Sequence, residues 1–574
     1  MQRLQTDLLI LGAGGAGLFA ALHALRSGPA LHVTIAVKGL LGKCGCTRMV
    51  QGGYNVALAP GDSIERHFMD TIEGGKWLPN QDLAWALVNG AVERIHELEN
   101  ELGCFFDRNP DGTIHQKAFA GQTFDRTVHK GDLTGIEIIN RLAEQVWARG
   151  IHRLEECRAL DFVTDREGAL AGVLLADVCS GDYVFVQARA VLLATGGGPT
   201  MYKYHTPSGD KSCDGLAMAL RLGLPLRDME MVQFHPTGLL AGTHTRMTGT
   251  VLEEGLRGAG GYLLDGAGER FMSRYDPRGE RATRDIVSRG IYAEMRAGRT
   301  TPNGGVWLSM GHLGADKVRR QFKGMVERCA DCGFDLAAGQ VEVVPTAHYM
   351  MGGVEFGLDC RTACAGLFVA GEDSGGVHGA NRLGGNGVAN STVFGGVAGD
   401  RIAVWLQDAP TWREPDATSM EAARARAEAP FKADASGDVR ALDDVRERLF
   451  DLMWDDAGIV RDAIGLQRAE SGLAGLADEL AHVGLPESQS RSFNLTWHDW
   501  LNLDNLIAVS QVIVRAAAMR ENSRGAHFRA DHPEAGDLNA STFTRVRAAR
   551  GTLAVEAVPV EFTRVRPGQS LVRD

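Results

Sequence analysis

Gly12-Ala13-Gly14-Gly15-Ala16-Gly17 is a GxGxxG sequence, whose glycines allow a tight turn and close approach of a backbone to a pyrophosphate. Two further glycine sites lie far downstream, Ala194-Thr195-Gly196-Gly197 and Gly371-Glu372. Other residues able to do chemistry are scattered. His235 and His348 each sit in a polar, glycine-rich stretch after an apolar run and are expected on loops. Glu254 and Arg257 are three apart, which puts them on one face of a helical turn. Arg284 and Arg382 are cations in Thr-Arg-Asp and Asn-Arg-Leu contexts. Taken singly, such histidines are usually structural, and for the Glu–Arg pair a surface ion pair is the bland alternative.

The elements that must position these residues are legible around the glycines. Residues 6–11 form a short apolar run readable as a buried parallel strand. Residues 18–25 read as a helix closed by Gly28-Pro29, and residues 32–37 as a second strand. The fingerprint therefore sits between strand and helix in a βαβ unit, with the helix N-terminus free to meet a phosphate. Residues 191–194 and 366–369 repeat the pattern of a strand ending in glycine. Three such sites suggest one large cofactor touched from several segments. FAD fits better than NAD, because Val37-Lys38 stands where an NAD fold would carry its ribose-binding acid.

Composition narrows the class. The 574 residues are too many for one core, and 44% apolar with 23% charged is ordinary for a globular protein. The 72 glycines, far above average usage, come in knots without a Gly-X-Y period, which suits ligand-contacting turns and excludes collagen. A net charge of −12 without a basic patch argues against nucleic acid as a partner. No run approaches the length of a membrane span, and no targeting peptide is read at the start. A cytoplasmic protein is expected, or one held at the inner membrane through a partner. The ten cysteines are too sparse for a disulfide framework. Cys329-Ala-Asp-Cys332 has no second pair and reads as ordinary thiols in a helical segment. No metal site is expected, and no run of four cysteines could hold an iron–sulfur cluster.

Longer motifs carry a resemblance. They include Gln51-Gly52-Gly53, Gln233-Phe234-His235-Pro236-Thr237-Gly238 and Arg257-Gly258-Ala259-Gly260-Gly261. His348-Tyr349-Met350-Met351-Gly352-Gly353, Asn381-Arg382-Leu383-Gly384-Gly385-Asn386 and Arg520-Glu521-Asn522-Ser523-Arg524-Gly525 follow. From about residue 7 to 567 the chain resembles the flavoprotein subunit of succinate dehydrogenase and fumarate reductase, a family that includes L-aspartate oxidase. The resemblance implies hydride transfer between flavin N5 and a dicarboxylate C–C bond, with the protein supplying orientation and charge. It implies that His235, His348 and Arg382 bind carboxylates, the guanidinium bidentately. It implies that Arg284 is the acid/base, fed by Glu254 and Arg257. Phe119, Glu253, Gly384 and Gly385 would border the substrate. FAD would be lined by Gly12, Ala13, Gly14, Gly15, Ala16, Gly17, Lys38, Cys46, Thr47, Gln51, Gly52 and Gly53. Ala194, Thr195, Gly196, Gly197, Asp214, Gly371, Glu372, Arg382 and Asn386 would complete its site.

Two positions depart from the family. Cys46 stands where the succinate and fumarate enzymes carry the histidine that bonds FAD, so noncovalent FAD is expected, with a cysteinyl bond the chemical alternative. Glu253 stands where the family usually has a threonine. A carboxylate there repels a dicarboxylate unless it turns away, is protonated, or meets an amine or hydroxyl on the substrate. A substituted or larger dicarboxylate is therefore an expectation alongside plain succinate or fumarate.

The expected fold class is α/β: a Rossmann-like FAD-binding domain (1–232 and 344–410), an inserted α+β capping domain (233–343), a C-terminal helical bundle (420–535) and a β tail (536–574). The leading expectation is a catalytic subunit that passes electrons to a separate iron–sulfur partner. The alternatives are L-aspartate oxidase-like amine oxidation and a non-catalytic flavin-binding assembly subunit.

Overall fold

The computed structural model describes residues 1–574 except 243–244, 246, 409–411, 434–439, 486–489, 550 and 573–574. The expected boundary at 410 lies outside the described residues. The architecture is α/β, built on a seven-stranded sheet. Its order is His152–Leu154, Val33–Ala36, Gln2–Leu11, Tyr183–Leu193, Leu170–Asp177 and Cys157–Thr164, with Leu367–Val369 also paired to Tyr183–Leu193. Gln2–Leu11 runs parallel to both its neighbours, and Leu367–Val369 runs parallel to Tyr183–Leu193. Their C-terminal ends thus gather the three glycine sites along one edge, where ligands bind in open α/β sheets.

The first strand starts at Gln2, earlier than its apolar run, because pairing continues from Gln2 opposite Val184 although the residues there are exposed. The first helix also starts earlier than expected, at Gly15, and ends at Ser27. Its glycines and alanines do not break it. They let it lie against the helix Asn386–Asp408, where a Cβ on Gly395 would stand 2.6 Å from Ala16 O and one on Gly399 would stand 2.4 Å from Ala20 O.

A second, antiparallel sheet is inserted between strands of the first, in the order Val232–Leu239, Gln340–Met350, Val306–Ser309 and Tyr262–Leu264. Its own core includes Leu239, Phe271, Ile291, Leu308 and Met325. The positions 232/233 and 343/344 both fall inside continuous strands. His235 and His348 lie on these two strands, not on the loops expected from their glycine-rich surroundings. The pairing absorbs the irregular residues as bulges. Gln233 pairs with Tyr349 and Phe234 with Ala347, which leaves His348 as the extra residue. A second bulge between His235 and Gly238 accommodates Pro236.

Helices Ala417–Lys432, Arg440–Asp456, Ala463–His482 and Leu495–Met519 share one apolar core with the large sheet. Cys329 and Cys332 fall in and just after the helix Lys323–Asp331 as free thiols. No helix among the described residues is long and apolar enough to cross a membrane. After the helices, the hairpin Thr542–Ala549 and Thr552–Pro559 joins Leu226–Arg227 and Gly353–Val354 in a four-stranded sheet.

A buried ion network fastens that hairpin down. Arg520 donates to Glu230 at 2.6 Å and to Thr542 O at 3.0 Å, and it pairs with Asp228 at 3.4 Å. Thr544 donates its hydroxyl to the other oxygen of Glu230 at 2.6 Å. Replacing Arg520 with Met leaves both carboxylates buried without this cation, a loss of about 3–5 kcal/mol. The expected result is a clearly lowered thermal midpoint with the far-UV spectrum retained at low temperature. An unchanged midpoint would show that the network does not hold the hairpin.

Candidate active site

One cavity of about 670 Å³ runs from the first glycine turn to the second sheet. At one end, Gly12 adopts φ +107°, and a Cβ there would lie 2.2 Å from Ala194 O, so two of the glycine sites touch. Gly196 adopts φ +81° and faces open space in the cavity, which a side chain would fill. The helix Gly15–Ser27 has no side-chain cap at Gly14 and presents its N-terminus to the same space. Lys38 and Asp214 meet on this wall at 3.2 Å, and Arg158 holds the other Asp214 oxygen at 2.7 Å. An open helix N-terminus, a glycine cradle and a polar wall fit a dinucleotide such as FAD.

The wall continues through Ala13, Gly15, Ala16, Cys46, Thr47, Gln51, Gly52, Gly53, Thr195, Gly197, Gly371, Glu372 and Gly385. Thr47 Oγ1 accepts from the Gly15 N–H at 3.1 Å, and Glu372 accepts from the Met350 N–H at 2.9 Å. Burial pushes the Glu372 carboxyl up to about 7. Cys46 is half-buried, and desolvation pushes its thiol up to about 12. Two residues expected against the cofactor stand behind the wall. Gly17 permits close helix–strand packing, since a Cβ would meet Gly12 O at 2.1 Å. Asn386 lies within hydrogen-bond distance of Asn55 and His67, at 2.9 Å from each, and braces the loop.

At the far end, charged side chains from three segments converge. Arg284 opens the helix Arg284–Arg296, which is tied to the neighbouring strand by Ser288 Oγ donating to Phe234 O at 3.0 Å. Arg284 Nη2 and Nε donate to Glu254 Oε2 at 2.6 and 2.9 Å. Glu254 precedes the short helix Gly255–Gly258, and its other oxygen lies 3.5 Å from Arg257 Nη2, so the spacing of three does place the two side by side. Burial alone would raise the Glu254 carboxyl, but Arg284 and Arg257 outweigh it and hold the group below its usual range. Arg257 is fully buried behind the wall, donating to Glu280 O at 2.8 Å.

Arg382 stacks 4.3 Å from the Tyr349 ring centre, and burial with the nearby Arg284 brings it down to about 10. Its Nε is buried without a hydrogen bond among the described residues. The two histidine rings meet edge to face at 5.5 Å. The Thr237 N–H points at His235 Nδ1 at 3.3 Å, which puts the ring proton on Nε2, a buried atom with no hydrogen-bond partner among the described residues. Thr206 occupies His348 Nδ1 at 2.8 Å. Burial, then the surrounding guanidinium groups, push both imidazoles far below their ordinary range, so they are neutral at pH 7. The site offers an anion two guanidinium groups and two neutral imidazoles.

Several contributors escaped the sequence. Gln233 Oε1 accepts from both Arg284 at 3.0 Å and Arg382 at 3.1 Å, although only its motif had stood out. Arg328 and Lys211 line the cavity without any motif to flag them. Glu253 lines it too, but one of its oxygens pairs with Lys117 at 3.2 Å. Phe119 forms part of the wall, and Gly384 lies directly behind it. A Cβ on Gly384 would stand 2.6 Å from Phe119, 2.7 Å from Glu254 Oε2 and 3.0 Å from Arg284 Nη2. Gly384→Ala is therefore expected to push the Glu254–Arg284 pair out of register and cut kcat at least about 100-fold, with the thermal midpoint little changed. Near-normal turnover would show that the pair tolerates displacement.

Comparison with known proteins agrees with this geometry. Residues 7–388 match the FAD binding domain model, and residues 446–571 match the model of the fumarate reductase flavoprotein C-terminus. The chain is 40% identical over 533 residues to a subunit of the fumarate reductase (CoM/CoB) of Methanothermobacter marburgensis, covering 92% of this chain and 95% of that one. It is 34% identical over 591 residues to the fumarate reductase flavoprotein subunit of Escherichia coli, covering 99% and 96%. Among solved structures, a variant of the E. coli quinol fumarate reductase FrdA superposes with a TM-score of 0.92 at 33% identity, covering 99% of both chains. Sdh1 of Mycobacterium smegmatis superposes with a TM-score of 0.86 at 35% identity, covering 98% and 95%. The glycine-lined cavity, the inserted sheet and the C-terminal module thus belong together, and the chain is a member of the fumarate reductase and succinate dehydrogenase flavoprotein family, FAD-dependent oxidoreductases acting on CH–CH bonds.

Proposed function

We propose that the chain interconverts the saturated and unsaturated forms of a dicarboxylate, as the catalytic subunit of an assembly with an iron–sulfur partner. FAD held along the glycine wall supplies hydride-transfer chemistry. His235 Nε2 and His348 bind one carboxylate as neutral donors, and Arg382 forks onto the other. Arg284 stands beside the reacting carbons and exchanges a proton with them, and Glu254 and Arg257 restore it. Gln233 keeps the two guanidinium groups at fixed separation. The second sheet covers the site and excludes water from the charge that develops on the substrate. The observation that carries this reading is the Arg284–Glu254 contact of 2.6 Å, joined through Gln233 to Arg382 and opening onto the same cavity as the glycine wall.

The likeness to flavoprotein subunits in both modules supports a separate electron-transfer partner. Cys46 supports noncovalent FAD: its thiol, pushed up to about 12, stays protonated at pH 7 and is a poor nucleophile.

Arg284→Ala is expected to lower turnover of succinate or fumarate by about 10²–10⁴-fold while FAD stays bound, as followed by its visible spectrum. Substantial remaining activity would remove Arg284 from the acid/base role, and peroxide release with L-aspartate as the best substrate would favour amine oxidation. Acid precipitation of the holoenzyme is expected to leave the yellow colour in the supernatant. Colour retained by the pellet would establish a covalent bond.

A further inference from the structure

Glu253 is only 4% exposed, yet it lines the same cavity as Glu254 and Arg284. Its Oε1 accepts from Lys117 Nζ at 3.2 Å. Lys117 is itself held by Gly131 O at 3.3 Å. The carboxylate folds back over Gly255, where a Cβ would stand 2.4 Å from Oε1, so glycine at 255 leaves the room it needs. Its Oε2 has no hydrogen-bond partner among the described residues. The other charged groups facing Glu253 are Asp132 and Arg328. Arg328 also lines the cavity, donates to Val251 O at 3.3 Å and makes no ion pair among the described residues.

This arrangement is selective. Lys117 neutralises Glu253, so the wall does not repel a dicarboxylate as an isolated carboxylate would. One carboxylate oxygen is nevertheless left without a protein donor and is not sealed among protein atoms, and a plain four-carbon dicarboxylate has no donor to give it. An acceptor that a bound ligand covers without meeting disfavours that ligand.

We propose that the substrate is a four-carbon dicarboxylate bearing a hydroxyl-containing substituent, whose O–H donates to Glu253 Oε2, and that the Glu253–Lys117 pair is the specificity determinant against unsubstituted dicarboxylates. The proposal rests on the dicarboxylate reading above. The redox step is unchanged. In the oxidative direction two C–H bonds break and one C=C π bond forms; one hydrogen leaves with its electron pair as hydride to oxidised FAD, the other leaves as a proton to the Arg284 relay. The substituent keeps its atoms and its hydroxyl proton.

The test is a matched pair of probes, 2-methylsuccinate and 2-(hydroxymethyl)succinate, which are close in size and differ in the hydroxyl. Succinate is the reference, and the FAD-loaded protein is assayed with an artificial electron acceptor. The expected kcat/KM for the hydroxymethyl compound exceeds that for the methyl compound by about tenfold or more, and it also exceeds that for succinate. Glu253→Met is expected to collapse the ratio towards one. Should that variant fold poorly with Lys117 unpaired, the double replacement Glu253→Met with Lys117→Met removes the pair together and is expected to do the same, with FAD content and thermal midpoint checked. A ratio near one in the wild type, succinate as the best of the three, or a ratio that survives loss of Glu253 would each overturn the proposal. Failure of all three probes, with fumarate reduction also absent, would overturn the underlying dicarboxylate reading instead.

Discussion

Two positively charged guanidinium groups donate to a single amide oxygen, Gln233 Oε1, at 3.0 and 3.1 Å. Everything else in the site answers to that juxtaposition. Two unit charges a few ångströms apart repel by about 4 kcal/mol at an effective dielectric near 20. Glu254 offsets part of this through its 2.6 Å contact with Arg284, and the amide oxygen offsets more. The same positive field, added to burial, keeps His235 and His348 uncharged. The remaining imbalance favours an anion, and the same field adds to burial, the larger cause, in keeping the imidazoles unprotonated.

Such an arrangement needs rigid support from segments distant in the chain. Gln233 and His235 come from one strand and His348 from its antiparallel partner, where bulges place the histidines. Arg284 comes from a helix bonded to that strand, and Arg382 from the return to the large sheet. Glycine makes the convergence sterically possible. Gly384 has Phe119, Glu254 and Arg284 against the position of its missing Cβ, and Gly395 and Gly399 let two helices approach behind the cofactor wall.

The sequence made the cofactor end legible because its signal is local: a strand, a glycine turn and a helix in one stretch of chain. The spacing of Glu254 and Arg257 was equally local, and the structure brings them side by side at 3.5 Å. What escaped depended on pairing at long range. Glycine and Pro236 around the histidines looked like loop residues, because a bulged strand and a loop have the same composition. Gln233 bridges residues 51 and 149 positions away, and Lys117 meets Glu253 across 136. No periodicity carries such contacts. The early start of the first helix was hidden too, since glycine reads as a breaker until a second helix is packed against it.

The hairpin Thr542–Pro559 pairs with Leu226–Arg227, and its Thr544 bonds Glu230, three residues before Gln233. The strand that carries Gln233 and His235 therefore has its leading end anchored by residues made some three hundred positions later. The cofactor wall leans on late residues too: Lys38 donates to Asn502 at 2.8 Å and Arg158 to His498 O at 2.7 Å, so both ends of the cavity are completed by segments far along the chain.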